Sequence, residues 1–337
     1  MTEQILIDAG RSSRGWSRIG QFMQCPQKFA YDQRLNIDLI PASALTRGSM
    51  GHIIQAHQHA IWGCQQGGVI VDTRYHDDES VFLPPEEALH TWCDHNKQGH
   101  DYIDRMLETF RRYMARHPEP PGRVLAVEYQ IIAVLGWKES LEGPWGLWVI
   151  DDCNEEDLRT AATPATRFTA YDGKPIIPSP LSCPGHKDHG KPIFITRRVD
   201  MVIEDRLGRV WVWDHKHQAR VSSKSGIDAY AIDGGFAVFR IMGAQIWPNF
   251  AGLMLNLIQT QEPWAVSRPT VPPTPHRDGH LPELLWRAEH GIAKLDLEQS
   301  DFFRWPKAMH EVACVHRYGK CSGIDLCKYG PAALSGP

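Results

Sequence analysis

Residues 194–217 read FITRRVDMVIEDRLGRVWVWDHKH, and this stretch decides the fold. Two runs rich in β-branched and aromatic residues, 194–205 and 209–217, flank Asp205-Arg206-Leu207-Gly208. Such runs favour strands, and a glycine between them suits the turn of a hairpin. Side chains alternate along a strand, so Asp214 and Lys216 share a face. Trp211 and Trp213 alternate with Val210 and Val212, which makes them core residues rather than platforms for bases. Pairing the strands brings Asp200, on the first, toward Asp214, near the end of the second. Two carboxylates are hard oxygen ligands for Mg²⁺ or Mn²⁺. A metal held there activates water and offsets charge on a phosphate. Lys216 would then orient the nucleophile or stabilise the developing negative charge. Asp-x-Lys alone is usually a surface ion pair on a strand. Here it follows an apolar VWVW run, and a second aspartate lies on the partner strand.

Upstream, 17–34 reads as helix, with a break at Cys25-Pro26. Residues 45–62 read as a second helix ending near Gly63. Residues 72–80 read as a polar loop. From Pro84-Pro85-Glu86-Glu87 a helical region runs to about Arg116, with Ile103, Leu107, Phe110 and Met114 at helical spacing. Residues 118–122 form a breaker cluster, and 124–135 read as a strand. Residues 151–190 lack periodicity and read as an excursion. Beyond the hairpin, 226–244 reads as helix, 249–258 as strand and 281–312 as mostly helix, before a loop-like tail. The expected fold is α/β, a central mixed sheet flanked by helices, in a single domain over 1–337 with a helical insertion at about 63–122.

Composition sets few limits. Charged residues make up 23% and the formal net charge is −4, so no global basic footprint points to nucleic acid. A local basic groove remains compatible with an acidic metal site, and Arg197, Arg198, Lys216 and Arg220 are its candidates, although solvated charge is the default for such residues. No apolar run is long enough to span a membrane. The start, MTEQILIDAGRSSRGW, lacks a signal-peptide pattern, so the expected location is the cytoplasm.

Of eight cysteines, three fall in the last 24 residues: Cys314, Cys321 and Cys327. In a reducing compartment such clustering points to metal chemistry rather than disulfides. By spacing alone, zinc and iron–sulfur stand level, since neither common signature is matched. Cys183-Pro-Gly-His186-Lys-Asp-His189 reads as a polar loop rather than a zinc site. His52 reads on its own as a locally hydrogen-bonded helix histidine. Glu128 stands equally as a solvent-facing strand residue or as a group in or behind a metal's ligand shell.

Taken in order, these pieces form a pattern. Ser17-Arg18-Ile19-x2-Phe22-x2-Cys25-Pro26-x2-Phe29-x-Tyr31, Arg47-Gly48-Ser49-x2-His52, Val127-Glu128-Tyr129, the Asp200 and Asp214-x-Lys216 strands and the C-terminal cysteines span residues 17 to 327. The set resembles the RecB-like branch of the PD-(D/E)XK nuclease superfamily, as found in CRISPR-associated adaptation nucleases, AddB-type helicase–nucleases and phage exonucleases. The resemblance implies a restriction-endonuclease-like fold and a metal-dependent DNA nuclease, of exonuclease type. In it His52, Asp200, Asp214 and Glu128 serve the metal and Lys216 assists catalysis. It also implies a 4Fe–4S cluster on Cys25, Cys314, Cys321 and Cys327, stapling 17–34 to 310–330. Implied partners are single-stranded DNA or a duplex end, and a helicase, recombination or CRISPR protein, in repair or recombination. The family's Gln-x3-Tyr helix is not matched, since Gly235 and Phe239 stand in its place. That departure keeps open an alternative, a non-catalytic iron–sulfur DNA-binding or accessory protein with the nuclease fold.

Overall fold

The computed structural model describes residues 4–7, 14–37, 43–77, 80–97, 99–150, 158, 167–221, 225–307, 315–316, 319–321 and 326–327. In chain order the main elements are helices α1 (Trp16–Gln24), α2 (Pro26–Gln33) and α3 (Ser43–Gln65), then strands β1 (Val69–Val71) and β2 (Arg74–His76). Helices α4 (Pro85–Asn96) and α5 (Ile103–Arg116) lead to the long strand β3 (Arg123–Lys138), followed by β4 (Trp145–Val149), β5 (Phe168–Thr169) and β6 (Pro175–Pro178). The hairpin strands are β7 (Phe194–Glu204) and β8 (Val210–Gln218). Helices α6 (Ser225–Ala231) and α7 (Gly234–Ile246) come next, then β9 (Phe250–Gln259), β10 (Val266–Ser267) and β11 (Thr270–Val271). Two helices, α8 (Pro275–Gly279) and α9 (Leu281–Glu298), complete the set that matters here.

These residues group into two compact units that interleave along the chain. The first comprises Met1–Ser12, Ser43–Ile131 and Arg197–Asp278; the second comprises Ser13–Ala42, Ile132–Thr196 and Gly279–Pro337.

The first unit is built on a mixed sheet with the strand order β10-β9-β8-β7-β3-β1-β2. Strands β7 and β8 pair antiparallel, from Glu204↔Val210 to Met201↔Trp213. The turn forms as the sequence predicts. Gly208 takes φ +73°, and the Asp205 carboxylate accepts from the Leu207 and Arg209 N–H groups at 2.9 and 3.0 Å. Strand β9 runs parallel to β8. A parallel neighbour needs a crossover, and α6 and α7 supply it. Helix α3 packs on β8 and β1, α5 and α7 on β9. Ala56, Ala60, Trp62, Met201, Ile203 and Trp213 form one core beneath α3. A second core joins α3, α4 and α5 through Met50, Ile54, Leu89, Trp92, Met106 and Phe110. The α/β class, with a mixed sheet flanked by helices, is as expected.

Several boundaries differ from the sequence reading. The segment 63–122 is not purely helical, because β1 and β2 join the sheet. The helix expected up to Arg116 breaks after Asn96, where Lys97 (φ +51°) and Gly99 (φ +87°) adopt the left-handed region. The 226–244 helix divides at Asp233, whose side chain accepts from the Gly235 N–H at 2.7 Å and caps α7. The helix expected over 281–312 ends at Glu298, and a short 3₁₀ turn follows at Phe302–Arg304.

In the second unit, the latter half of β3 pairs with β4 and β6, and β5 with β6. Val134, Ile150, Ala170, Ile176 and Phe194 fill its sheet core. Phe29 of α2 stacks on Trp305 at 6.0 Å, and Arg18 of α1 forms a buried ion pair with Glu289 of α9. Among the described residues no helix is long and apolar enough to cross a membrane.

Candidate metal centre

The first unit draws three expected site residues together. One ligand atom each from His52, Glu128 and Asp200 lies within 4.8 Å of the others. His52 reaches the sheet from α3, and its Nδ1 stands 3.4 Å from Asp200 Oδ2. The approach depends on the preceding residue, Gly51. A β-carbon there would meet the His217 ring at 2.3 Å. Gly48, the glycine that marks this helix in the sequence, has nothing within 4 Å of such a carbon.

Asp200 lies just past the last paired residues of the β7–β8 ladder. Its Oδ2 accepts the His215 N–H at 2.6 Å, so the freed backbone donor of β8 orients the carboxylate. His215 is itself anchored from behind. Arg268 Nε donates to Asn256 Oδ1 at 3.3 Å. Arginine is donor-only, which turns the Asn256 amide nitrogen toward His215 Nδ1 at 2.9 Å. That places the His215 proton on Nε2. Burial, with His59, His52, His217 and Lys216 close by, holds the ring well below its ordinary pKa, so it is neutral.

Glu128 is the strained member. It sits inside β3 with φ +48°, a left-handed conformation that costs a non-glycine residue about 1–2 kcal/mol. Its burial pattern breaks the alternation of the strand, with 126, 127 and 128 buried in succession. The twist turns the carboxyl inward, where only 4% of the residue is exposed. Burial, then the charge of Asp200, pushes the Glu128 carboxyl well above the usual range, against the pull of Arg198. Burial also raises Asp200; Asp214 adds to the rise, while His52 and Lys216 oppose it.

Asp214 and Lys216 form a pair of their own, Nζ to Oδ2, at 2.5 Å. Burial works against the Lys216 ammonium, yet Asp214 and Asp200 outweigh it and the pKa rises. Lys216 is therefore a cation and hydrogen-bond donor, not a base. Asp214 influences both Asp200 and Glu128 electrostatically but stands outside the trio.

The donor set fits a divalent cation. Two carboxylates crowded into a buried site repel one another and resist ionisation. A bound cation reverses that logic, and two oxygens with one imidazole suit Mg²⁺ or Mn²⁺. His52, Glu128 and Asp200 would hold it. His59, which shares a helix face with His52 by spacing, turns instead to the His215 ring, 4.8 Å away. Burial drives His59 down to about 3.

Of the cysteines expected to bind a cluster, the described ones, Cys25, Cys321 and Cys327, belong to the second unit. Burial raises the Tyr31 phenol, the nearby Cys327 thiol adds to the rise, and Cys25 and Cys321 add to it electrostatically. Cys327 is raised by burial, with Cys25 and Cys321 contributing. Cys314 lies outside the described residues. Gly235 and Phe239 both lie on α7. The sequence reading missed Gly51, the left-handed Glu128 and the Asn256–His215 support. Of these, only the second glycine of Gly48-Ser-Met-Gly51 carried a local signal. No protein-family model matches the chain, and no curated protein matches it.

Proposed function

We propose that this chain is a metal-dependent DNA nuclease, of exonuclease type, with a restriction-endonuclease-like core in its first unit. One observation carries the reading: the convergence of His52, Glu128 and Asp200 beside an Asp214–Lys216 pair. In phosphodiester hydrolysis, water oxygen bonds to phosphorus, the bond to the leaving sugar oxygen breaks, and that oxygen takes up a proton. His52, Glu128 and Asp200 would hold a divalent cation, which would supply Lewis acidity when bound. Asp200 is held in place by the His215 N–H. Asp214 fixes the Lys216 ammonium and keeps it charged. Lys216 donates to the phosphate as negative charge grows on it, the stage at which a fixed donor counts most. The Glu128 strain fits a functional position, since strained residues persist where the surroundings over-determine them.

For the cysteines the same reading assigns a 4Fe–4S cluster on Cys25, Cys314, Cys321 and Cys327. Cys25, Cys321 and Cys327 act on Tyr31 electrostatically, which is what supports grouping them. Iron and acid-labile sulfide analysis tests the cluster, and zinc in their place would exclude it.

The deciding experiment is cleavage of end-labelled single- and double-stranded DNA with Mn²⁺ or EDTA. Mn²⁺-dependent shortening that is lost in Asp200→Ala supports the reading. A purified protein that binds DNA and never cuts it would favour the accessory role instead, consistent with the Gly235 and Phe239 departure.

A further inference from the structure

We propose that Arg197 is a phosphate-binding residue of this site, its guanidinium fork receiving the non-bridging oxygens of a DNA phosphodiester beside the metal trio. The proposal rests on the nuclease reading above and deepens it.

Arg197 lies on β7, three residues before Asp200. Its guanidinium carbon sits 4.2 Å from the centroid of the Phe239 ring. An aromatic face attracts and flattens such a cation, fixing the plane while leaving its N–H edge free. Among the described residues that edge has no hydrogen bond and no ion pair, and Nε is buried without a partner. Its neighbour Arg198 is partly engaged, one terminal nitrogen standing 3.8 Å from Asp72 and 3.5 Å from Gln130, although its Nε too is unpartnered. Arg240 is spent, held in a fork by Asp278 at 2.6 and 2.7 Å. A guanidinium carries five N–H donors and is costly to bury unused.

The surroundings explain what the cation is for. Burial lowers its pKa, while Asp214, Asp233 and Asp200 act from nearby in the opposite direction. None of the three takes the fork. Carboxylate charge at the site repels a phosphodiester, and Asp214 already offsets part of the Lys216 charge. Arg197 is thus a preorganised, unengaged cation next to the carboxylates. Its flat fork matches two phosphate oxygens, which lysine cannot do. A contact of this kind reads neither base nor sequence. The substrate it selects is any strand that presents a phosphodiester at the trio.

The test is binding of a fluorescent single-stranded oligonucleotide to the full-length protein in EDTA, across a salt series. Each phosphate contact on single strands contributes about 0.7 to the slope of log K against log[salt]. Arg197→Ala should flatten that slope by about 0.7 and weaken binding on the order of tenfold at low salt. Arg197→Lys should keep the slope and lose part of the affinity. Phe239→Leu should weaken binding several-fold with the slope retained. A purely structural role would shift the melting temperature without moving the slope. If Arg197→Ala does not fold, Arg197→Gln carries the same comparison. Unchanged slope and affinity in a folded Arg197 variant would overturn this assignment and leave the nuclease reading intact. Failure of the unaltered protein to bind or cut DNA would remove the nuclease reading itself, and this one with it.

Discussion

Gly51 of α3 faces the His217 ring of β8 so closely that a β-carbon would meet Nδ1 at 2.3 Å. This contact sets the distance between helix and strand, and the next residue is His52. In an exposed helix, Gly→Ala gains roughly 1 kcal/mol. Here Gly51→Ala should instead cost about 1–3 kcal/mol, the usual penalty for overpacking. It should also weaken Mn²⁺ binding, because α3 must lift and carry His52 with it. Adding His217→Ala should recover much of both losses. Calorimetric metal titration and thermal melting check this. A more stable Gly51→Ala with unaltered Mn²⁺ affinity would remove the argument.

Glu128 offers a test of backbone strain that is separate from its charge. Glu128→Ala and Glu128→Gly both delete the carboxyl, and both should abolish Mn²⁺-dependent cleavage. Only glycine adopts φ +48° without penalty. Glu128→Gly should therefore be the more stable of the two by about 1 kcal/mol. Urea unfolding in EDTA gives the comparison. Equal stabilities, or alanine ahead, would show that the left-handed conformation is not retained.

How far these features were legible varies with their range. The β7–β8 hairpin was readable because its cues are local: alternating Val and Trp, then Gly208 in a turn. Asp200, Asp214 and Lys216 follow from strand parity and register alone. The break at Lys97 was not readable, since apolar spacing continues on both sides of it. Nor was the end of α9 at Glu298, where the helical pattern runs on toward 312. His52 and His59 look equivalent by spacing, and the tertiary fold separates them: one meets Asp200, the other meets His215. Glu128 needed the packed structure, because nothing in the chain near it encodes a twisted strand; Gly51 shows locally only as a second glycine after Gly48, and the imidazole that it faces is not encoded nearby.

Lys216 is charged at neutral pH, held so by Asp214 and Asp200. If it acts as a fixed donor to the phosphate, Lys216→Ala should lower the single-turnover cleavage rate by about 10²–10³-fold. Mn²⁺ affinity should change little, because Lys216 is not a ligand. No limb of the pH–rate profile near neutrality should belong to it. Cleavage by Lys216→Ala at the rate of the unaltered protein would refute the role.

A pH dependence follows from His57, which is remote in role from the metal trio. Its ring is fully buried in α3, with Nε2 accepting from the Ile7 N–H and Nδ1 facing the Leu83 carbonyl, both at 3.0 Å. Both nitrogens are engaged in the neutral form, and burial lowers the pKa from 6.5 to about 4. The folded value lies below the unfolded one, so the unfolded chain binds the proton more tightly. The stabilisation is then complete above pH 6.5 and is lost as pH falls toward 4. The loss amounts to about 3 kcal/mol by pH 4, at 1.36 kcal/mol per unit. His57→Gln keeps a donor and an acceptor but cannot titrate. Its deficit relative to the unaltered protein should shrink by about that much between pH 7.5 and pH 4. Urea unfolding of both proteins across this range checks it. Parallel stability curves would mean that His57 charges in the folded protein as readily as in the unfolded chain, which its buried position between Ile7 and Leu83 forbids.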